Sequence, residues 1–307
     1  AWGGGEPGVL FIDRINKANP TPQLGDMEAT NPCGEQPLHP YESCTLGSIN
    51  LTTLVGKNGF DWEKLATLTR LGVRFLDDVI DINTYPLPRV AEVTKEHRRI
   101  GLGIMGFAEA LIALGIPYAS PKALAFADKV MKAVWTEGHK TSQALGRLRG
   151  DFPSFKNSRW QKMGRRHMRN ATITTVAPTG TISIIAGCSS GIEPIFAIAY
   201  VRNVMEGTRL LEVNPQFEKI ARGRGFYSQD LLFHAAQNGN IAAAKGVPAS
   251  VKKLFQTALE IPPAWHVKMQ AAFQKWSDNA VSKTINLPEK ATVEDVRKAY
   301  LLAWKMK

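Results

Sequence analysis

The sequence predicts an α/β fold, and three observations carry that prediction. Segments of helical periodicity alternate with short β-branched or apolar runs bounded by Pro, Gly and Ser, the pattern of successive strand–helix units. A chain of 307 residues is long enough for one large domain or two ordinary ones with a substantial buried core. Its 44% hydrophobic and 21% charged residues suit a soluble globular protein, neither disordered nor membrane-embedded.

Along the chain, the first 60 residues are rich in Pro, Gly and Asn and show little helical period. A loop-dense stretch of that length is unusual, and such loops are often functional. Asp61 then supplies an N-cap for a helix in which Leu65, Leu68, Phe75, Leu76 and Val79 recur at three- to four-residue steps. Further helices are predicted over 104–114, ending at Gly115, and over 122–148. From Ala171 the character changes, and 172–176, 181–186 and 195–201 read as buried strands. Helices resume over 215–222 and 264–276, and 281–287 reads as another strand. Thr292-x-x-Asp295 resembles a capping box opening a final helix. There are no repeats and no low-complexity linker. The chain stops at Lys307 inside that last amphipathic pattern and starts as abruptly, so both ends read as cut or split.

Composition narrows the function classes. No apolar run approaches the roughly 18 residues of a spanning helix, since the most apolar stretch, 171–201, is broken by Pro178, Glu193 and Pro194. The N-terminus has no basic segment followed by an apolar core, so no signal peptide is read. Three cysteines make no disulfide scaffold and fit a reducing compartment, which places the protein in the cytoplasm. The net charge of +11 suits phosphate-bearing substrates or simply a solvated basic surface. The arginine clusters at 147–149 and 165–169 lack the aromatic interleaving of a single-strand binder, and neither a nucleic acid nor a membrane is expected as partner.

Gly101-Leu-Gly-Ile-Met-Gly106 matches the dinucleotide-binding pattern G-x-G-x-x-G. That pattern has meaning only after a hydrophobic strand. The preceding Thr-Lys-Glu-His-Arg-Arg at 94–99 cannot be one, and no carboxylate lies in 121–126 to meet a ribose. The expectation is instead a glycine-lined helix face that admits a close neighbour.

The segment with chemical content is Asn31-Pro-Cys-Gly-Glu-Gln-Pro-Leu-His-Pro-Tyr-Glu-Ser-Cys44. Between Pro32 and Gly34, Cys33 belongs on a tight, exposed turn. Were the segment extended, Asn31, Cys33 and Glu35 would point to one face. They would bring a reactive sulfur, a general base and an amide for hydroxyl groups into one pocket. A loop whose thiol has no role is the plain alternative. A zinc site from Cys33, His39 and Cys44 lacks a fourth ligand and the short Cys spacing, so no metal is expected. Ala177-Pro-Thr-Gly-Thr-Ile-Ser183 joins two apolar runs, and its small residues around Gly180 would expose backbone N–H groups to an anion or form an ordinary turn.

With these residues in view, the chain resembles the adenosylcobalamin-dependent (class II) ribonucleotide reductases. The resemblance rests on Asn-Pro-Cys-Gly-Glu and on a second Cys eleven residues later in Ser-Cys-Thr-Leu-Gly-Ser-Ile-Asn. Phe-Ile-Asp-Arg-Ile-Asn at 11–16, the stretch 98–106 and the stretch 278–288 extend it over nearly the whole chain. It implies that residues 1–307 are the C-terminal portion of a ten-stranded α/β catalytic barrel, with the reactive Cys on an interior finger loop. Cys33 would carry a thiyl radical generated through adenosylcobalamin, Glu35 would act as base on the ribose 3′-hydroxyl, and Asn31 would bind ribose hydroxyls. Cys44 would be one of two reducing thiols. Thr179, Gly180, Thr181 and Ser183 would bind the phosphates of a ribonucleoside di- or triphosphate, and Ser189-Ser-Gly-Ile-Glu-Pro194 would line the site without an assigned role.

The second reducing thiol has no counterpart here, because Cys33 is committed and Cys188 lies in another motif, where a small buried residue is expected. The resemblance therefore implies a missing N-terminal half of the reductase, a thioredoxin-type reductant, a homo-oligomer when complete, and an isolated chain that does not turn over. Two alternatives stay open: a class I large-subunit fragment, and a non-catalytic partner that retains the barrel.

Overall fold

The computed structural model describes residues 1–203 and 209–306. Its frame is a set of parallel strands. Thr45–Asn50 pairs with Ile100–Met105, Thr45 opposite Ile100 and Asn50 opposite Met105. Parallel bridges from Leu102 to Thr174 and from Val176 to Val281 add two further segments on the far side. The lateral order is thus 45–50, 100–105, 172–176 and 281. Each step is a strand–helix–strand crossover, the obligatory way to join parallel neighbours. Trp62–Ile82 makes the first, Phe107–Ala113 and Pro121–Arg149 the second, and Pro263–Gln274 the third.

The helices follow from local signals. Asp61 accepts from Lys64 N and Ser120 from Ala123 N, each capping the helix that follows. Leu65, Val73, Leu76 and Ile80 turn inward onto Ile100, Leu102 and Ile104, and Val130 and Val134 close the same core. Phe75, expected on that stripe, points to solvent. Thr292 and Asp295 form the reciprocal capping bonds predicted for Val293–Met306. A second core around Phe217, Leu231 and Phe255 gathers the helices of 215–255 beneath the antiparallel hairpin Ala199–Asn203 and Arg209–Val213.

Two buried carboxylates fasten this frame. Asp77 on the first crossover helix receives Arg98 (2.8 Å), Arg169 (3.2 Å) and Asn170 (3.0 Å). Asp278 receives Ile173 N (2.9 Å), Trp135 Nε1 (2.9 Å) and His139 Nε2 (3.0 Å). Burial alone would raise the Asp278 carboxyl, but His139 and these donors hold it below the usual range.

Several expectations are corrected. Ile100–Met105 is not a helix face but a strand buried on both sides, and the helix begins only at Phe107. Its glycines misled because they are there for close approach. A Cβ at Gly103 would sit 2.4 Å from the Thr175 carbonyl oxygen, and one at Gly101 would meet Gln36 and Leu46 at 2.6 Å. Residues 181–186 form part of the helix Gly180–Ala186, not a strand, and Ile184 and Ile185 are exposed. The 195–201 strand begins only at Ala199 and belongs to the outer hairpin. Of 281–287 only Val281 bridges, because the chain there turns away into loop. Thr45–Asn50 escaped notice because Thr-Leu-Gly-Ser-Ile-Asn has too little apolar character to read as a barrel strand.

Gly103→Ala forces backbone apart and should lower unfolding free energy by about 1–3 kcal/mol or more. Gly56→Ala, with no neighbour within 4 Å, should be close to neutral. Denaturant titration of the two variants checks the contrast.

Candidate active site

Against the strand frame lies a short hairpin. Ala29–Thr30 pairs antiparallel with Pro37–Leu38, leaving residues 31–36 as its tip. The tip is not the extended segment the alternation argument assumed. Gly34, at φ +82°, lets its N–H reach the Asn31 carbonyl at 3.1 Å. Asn31 Oδ1 accepts from Gln36 N at 3.1 Å, and Asn31 N donates to Gln36 O at 3.1 Å. The three predicted residues all lie on this turn, but Asn31 spends its side-chain oxygen on the loop. Its amide N–H₂ is the part left to meet a ligand.

At this tip Cys33 is exposed. Glu35 is buried, and its Oε2 has no hydrogen-bond partner among the described residues. Both polar atoms of the buried Gln36 amide are likewise unpaired. The hairpin is nevertheless firmly seated, because the Glu35 carbonyl accepts from Ala280 N (2.8 Å) and Thr175 Oγ1 (3.1 Å). A buried carboxylate oxygen without a partner, carried on an anchored main chain, can accept a proton or hydrogen bond from an incoming hydroxyl.

Cys44 stands one residue before Thr45–Asn50. The residue is half-buried, but its thiol is enclosed by protein, and that burial pushes it well above the ordinary thiol range. Arg99 opposes the rise, while Glu42 and Glu35 add to it. Behind the thiol, Glu42 Oε1 accepts from Arg99 Nε (2.7 Å) and His97 Nδ1 (2.6 Å), and Oε2 accepts from His39 N (2.9 Å). Burial would raise Glu42, but Arg99 and His97 bring it down to about 2. His39 directs Nε2 to Thr21 at 3.1 Å and its ring edge-on to His97, so it does not face Cys33 as a shared zinc ligand would.

The loop predicted to bind an anion lies beyond Val176, at the C-terminal ends of the strands. Thr179 is left-handed (φ +57°), and its Oγ1 accepts from Gly191 N at 2.8 Å. Ser183 Oγ donates to Gly180 O (3.1 Å) and meets Ser190 Oγ (2.9 Å). These two hydroxyls pin the loop to 189–194, leaving the exposed Gly180 and Thr181 to present the first N–H groups of the short helix. Ser189 is held in turn by Glu109, and Glu193 by Lys283 and Thr284 N. Lys283 also donates to His266 Nδ1 at 3.0 Å. Burial, followed by the Lys283 charge, pushes His266 down to about 4.

Along the strand direction the groups fall in order. Cys44 lies at the N-terminal end, Gln36 level with Gly101, Glu35 level with Thr175, and the 177–183 loop past Val176. Cys188, expected to be a small buried residue, is half-buried against the Gly106 turn at the opposite end from Cys44. Burial, then Glu109, raises its thiol to about 11.

Motif reading brought out Asn31, Cys33, Glu35 and Cys44. It missed Glu42, His97 and Arg99, whose only sequence signal was three ionisable residues flanking predicted apolar segments.

The chain matches the family described as "Ribonucleotide reductase, barrel domain" over residues 1–307. It is 52% identical over its whole length to the vitamin B12-dependent ribonucleoside-diphosphate reductase of Mycobacterium tuberculosis (strain CDC 1551 / Oshkosh), covering 44% of that protein. It is 54% identical over 99% of its length to the protein of the same name from Thermoplasma acidophilum, covering 39% of it. The chain therefore spans about two fifths of the length of these relatives. Among solved structures, the Actinobacillus ureae class Id ribonucleotide reductase alpha subunit superposes with a TM-score of 0.83 at 24% identity, over 99% of this chain and 57% of that one, a likeness of fold.

Because Glu42 titrates near 2 when folded and near 4.5 as a free side chain, its contribution is complete above pH 4.5 and is lost as pH falls toward 2. Glu42→Gln should cost about 3 kcal/mol at pH 7, where it breaks a buried ion pair. Its stability should then fall less steeply than the parent's between pH 5 and pH 3, which urea titrations at about those pH values measure.

Proposed function

The chain belongs to the ribonucleotide reductase barrel-domain family, and on that premise we propose that it carries the thiyl-radical and reducing chemistry converting ribonucleotides to 2′-deoxyribonucleotides for DNA synthesis. The observation that carries the reading is the buried Glu35 Oε2, without a hydrogen-bond partner among the described residues, on the same hairpin tip that bears the exposed Cys33. A buried carboxylate oxygen without a donor is costly unless a substrate supplies one. A ribose hydroxyl is such a donor.

In this reading Cys33 loses its thiol hydrogen atom, and the sulfur radical takes the 3′-hydrogen of the ribose. Glu35 accepts the proton of the 3′-hydroxyl while the Asn31 amide donates to the ribose oxygens. The 2′-hydroxyl then leaves as water. Cys44 and a second thiol supply the two electrons and two hydrogens and become a disulfide, and Cys33 returns the 3′-hydrogen. Adenosylcobalamin, when bound, would supply the hydrogen-atom abstraction at the exposed Cys33 thiol. An exposed thiol at a hairpin tip fits a cofactor of that bulk, and the vitamin B12-dependent relatives support the assignment.

The phosphates sit at Gly180 and Thr181, on a loop that Thr179 and Ser183 hold in shape. The names of the relatives favour a ribonucleoside diphosphate. Cys188 cannot be the second thiol. It and Cys44 lie at opposite ends of a six-residue strand pair, about 20 Å apart at the rise of a β-strand and far beyond disulfide reach. That thiol comes instead from the N-terminal half of the barrel, so residues 1–307 act as its C-terminal portion and do not turn over alone. A thioredoxin-type reductant renews the dithiol, the complete enzyme is a homo-oligomer, and the reducing chemistry places it in the cytoplasm.

Combining the chain with the N-terminal half of the reductase, adenosylcobalamin, a ribonucleoside diphosphate and a dithiol reductant should yield 2′-deoxyribonucleotide. No product from an intact complex would refute the reading. Cys33→Ala should abolish product entirely. Cys44→Ser should permit at most one turnover per site, and sustained turnover would remove Cys44 from its role.

A further inference from the structure

The resemblance includes Arg99 within 98–106 but gives it no role, yet it is among the largest fully buried side chains of the fold, at 1% exposure. Its position follows from strand register. Thr45 pairs with Ile100 in parallel, so the preceding residues, Cys44 and Arg99, are lateral neighbours whose side chains leave the sheet on the same face. The following pair on that face, Leu46 and Gly101, borders Gln36 of the hairpin, so this is the face that carries the candidate site.

The guanidinium is only partly used. Nε donates to Glu42 at 2.7 Å and Nη1 to Asn279 at 3.2 Å, whereas the buried Nη2 has no partner among the described residues. A fully buried guanidinium normally has its donors engaged. A cation fixed beside a thiol, with one donor unspent, is the arrangement that stabilises a thiolate.

We propose that Arg99 is a positioning residue for the reducing thiol: it holds a fixed positive charge beside Cys44 and stabilises the thiolate formed when the sulfur gives up its proton to the surrounding buffer. Glu42 sets how much of that charge Cys44 receives. It draws Arg99 toward itself, with His97 on the same carboxylate oxygen and His39 behind. The groups acting on the thiol are thus Arg99 from the neighbouring strand, Glu42 from the chain just before it, and Glu35 from the hairpin. Arg99 opposes its burial, and the two carboxylates reinforce it. The proposal rests on the reductase reading for the purpose of the thiolate, but the thiolate itself can be observed without turnover.

The test measures alkylation of Cys44 by iodoacetamide in the full 307-residue chain, resolved from Cys33 and Cys188 by peptide mass spectrometry across a series of pH values. This uncharged reagent reacts with the thiolate and is not itself steered by Arg99. Arg99→Gln should slow Cys44 by about tenfold at fixed pH, the equivalent of one pKa unit. Arg99→Lys, which keeps the charge, should restore most of the rate. Glu42→Gln should speed it. Mere loosening of the fold would expose Cys44 and speed it in every variant, so slowing in Arg99→Gln is the diagnostic result. An unchanged or faster Cys44 in folded Arg99→Gln would overturn the proposal. Should that variant not fold, Arg99→Met, uncharged and of similar length, takes its place: a slower Cys44 at unchanged Cys188 rate supports the proposal, and an unchanged or faster Cys44 overturns it.

Discussion

The Glu42 carboxylate is the contact on which the rest of the site depends. One oxygen holds Arg99 and His97, the other holds the backbone of His39. The loop leaving the hairpin is thereby tied to the start of the second parallel strand before the first strand begins. Two residues later the chain delivers Cys44 and enters Thr45–Asn50 already in register with Ile100–Met105. A one-residue slip would turn each side chain of that strand to the opposite face. Burying a carboxylate and a guanidinium together is justified here less by net stability, which such pairs rarely supply, than by the single register they permit.

Steric room is the complementary constraint. Gly101 and Gly103 leave the inner face of their strand bare, so the hairpin and the Thr175 backbone can close against it. The hairpin then hangs from the Glu35 carbonyl, which meets Ala280 N and Thr175 Oγ1, while Glu35 Oε2 and the Gln36 amide have no partner among the described residues. Main chain anchors and side chain waits. That division suits a reactive tip, because the geometry is fixed without consuming the groups that meet a ligand.

The parts of this design differ in how legible they are from sequence. Helices such as Pro121–Arg149 and Val293–Met306 announce themselves through caps and period, which are local properties. The two paired strands do not. Thr45–Asn50 is too polar for a buried strand, and Ile100–Met105 owes its glycines to neighbours far away in sequence. Gly180–Ala186 errs the other way, since β-branched residues there cover a helix. In the site, Asn31, Cys33, Glu35 and Cys44 are readable because they crowd into one short motif. Arg99 and Glu42 are invisible until register places them together, as strand pairing depends on contacts that local pattern does not encode.

Much of the seal around the hairpin is supplied by residues 278–281. Arg99 reaches Asn279 across 180 positions, and Thr175 reaches Ala280 across 105. During synthesis the crossover helices can assemble first, but the hairpin cannot be locked until this late segment leaves the ribosome. High contact order of this kind slows folding and prolongs exposure of unpaired strand edges. Glu35 and Gln36 therefore pass through a period as solvated side chains before the fold buries them. Their desolvation is thus a cost incurred only at the last step of closure, when residues 278–281 seat the hairpin.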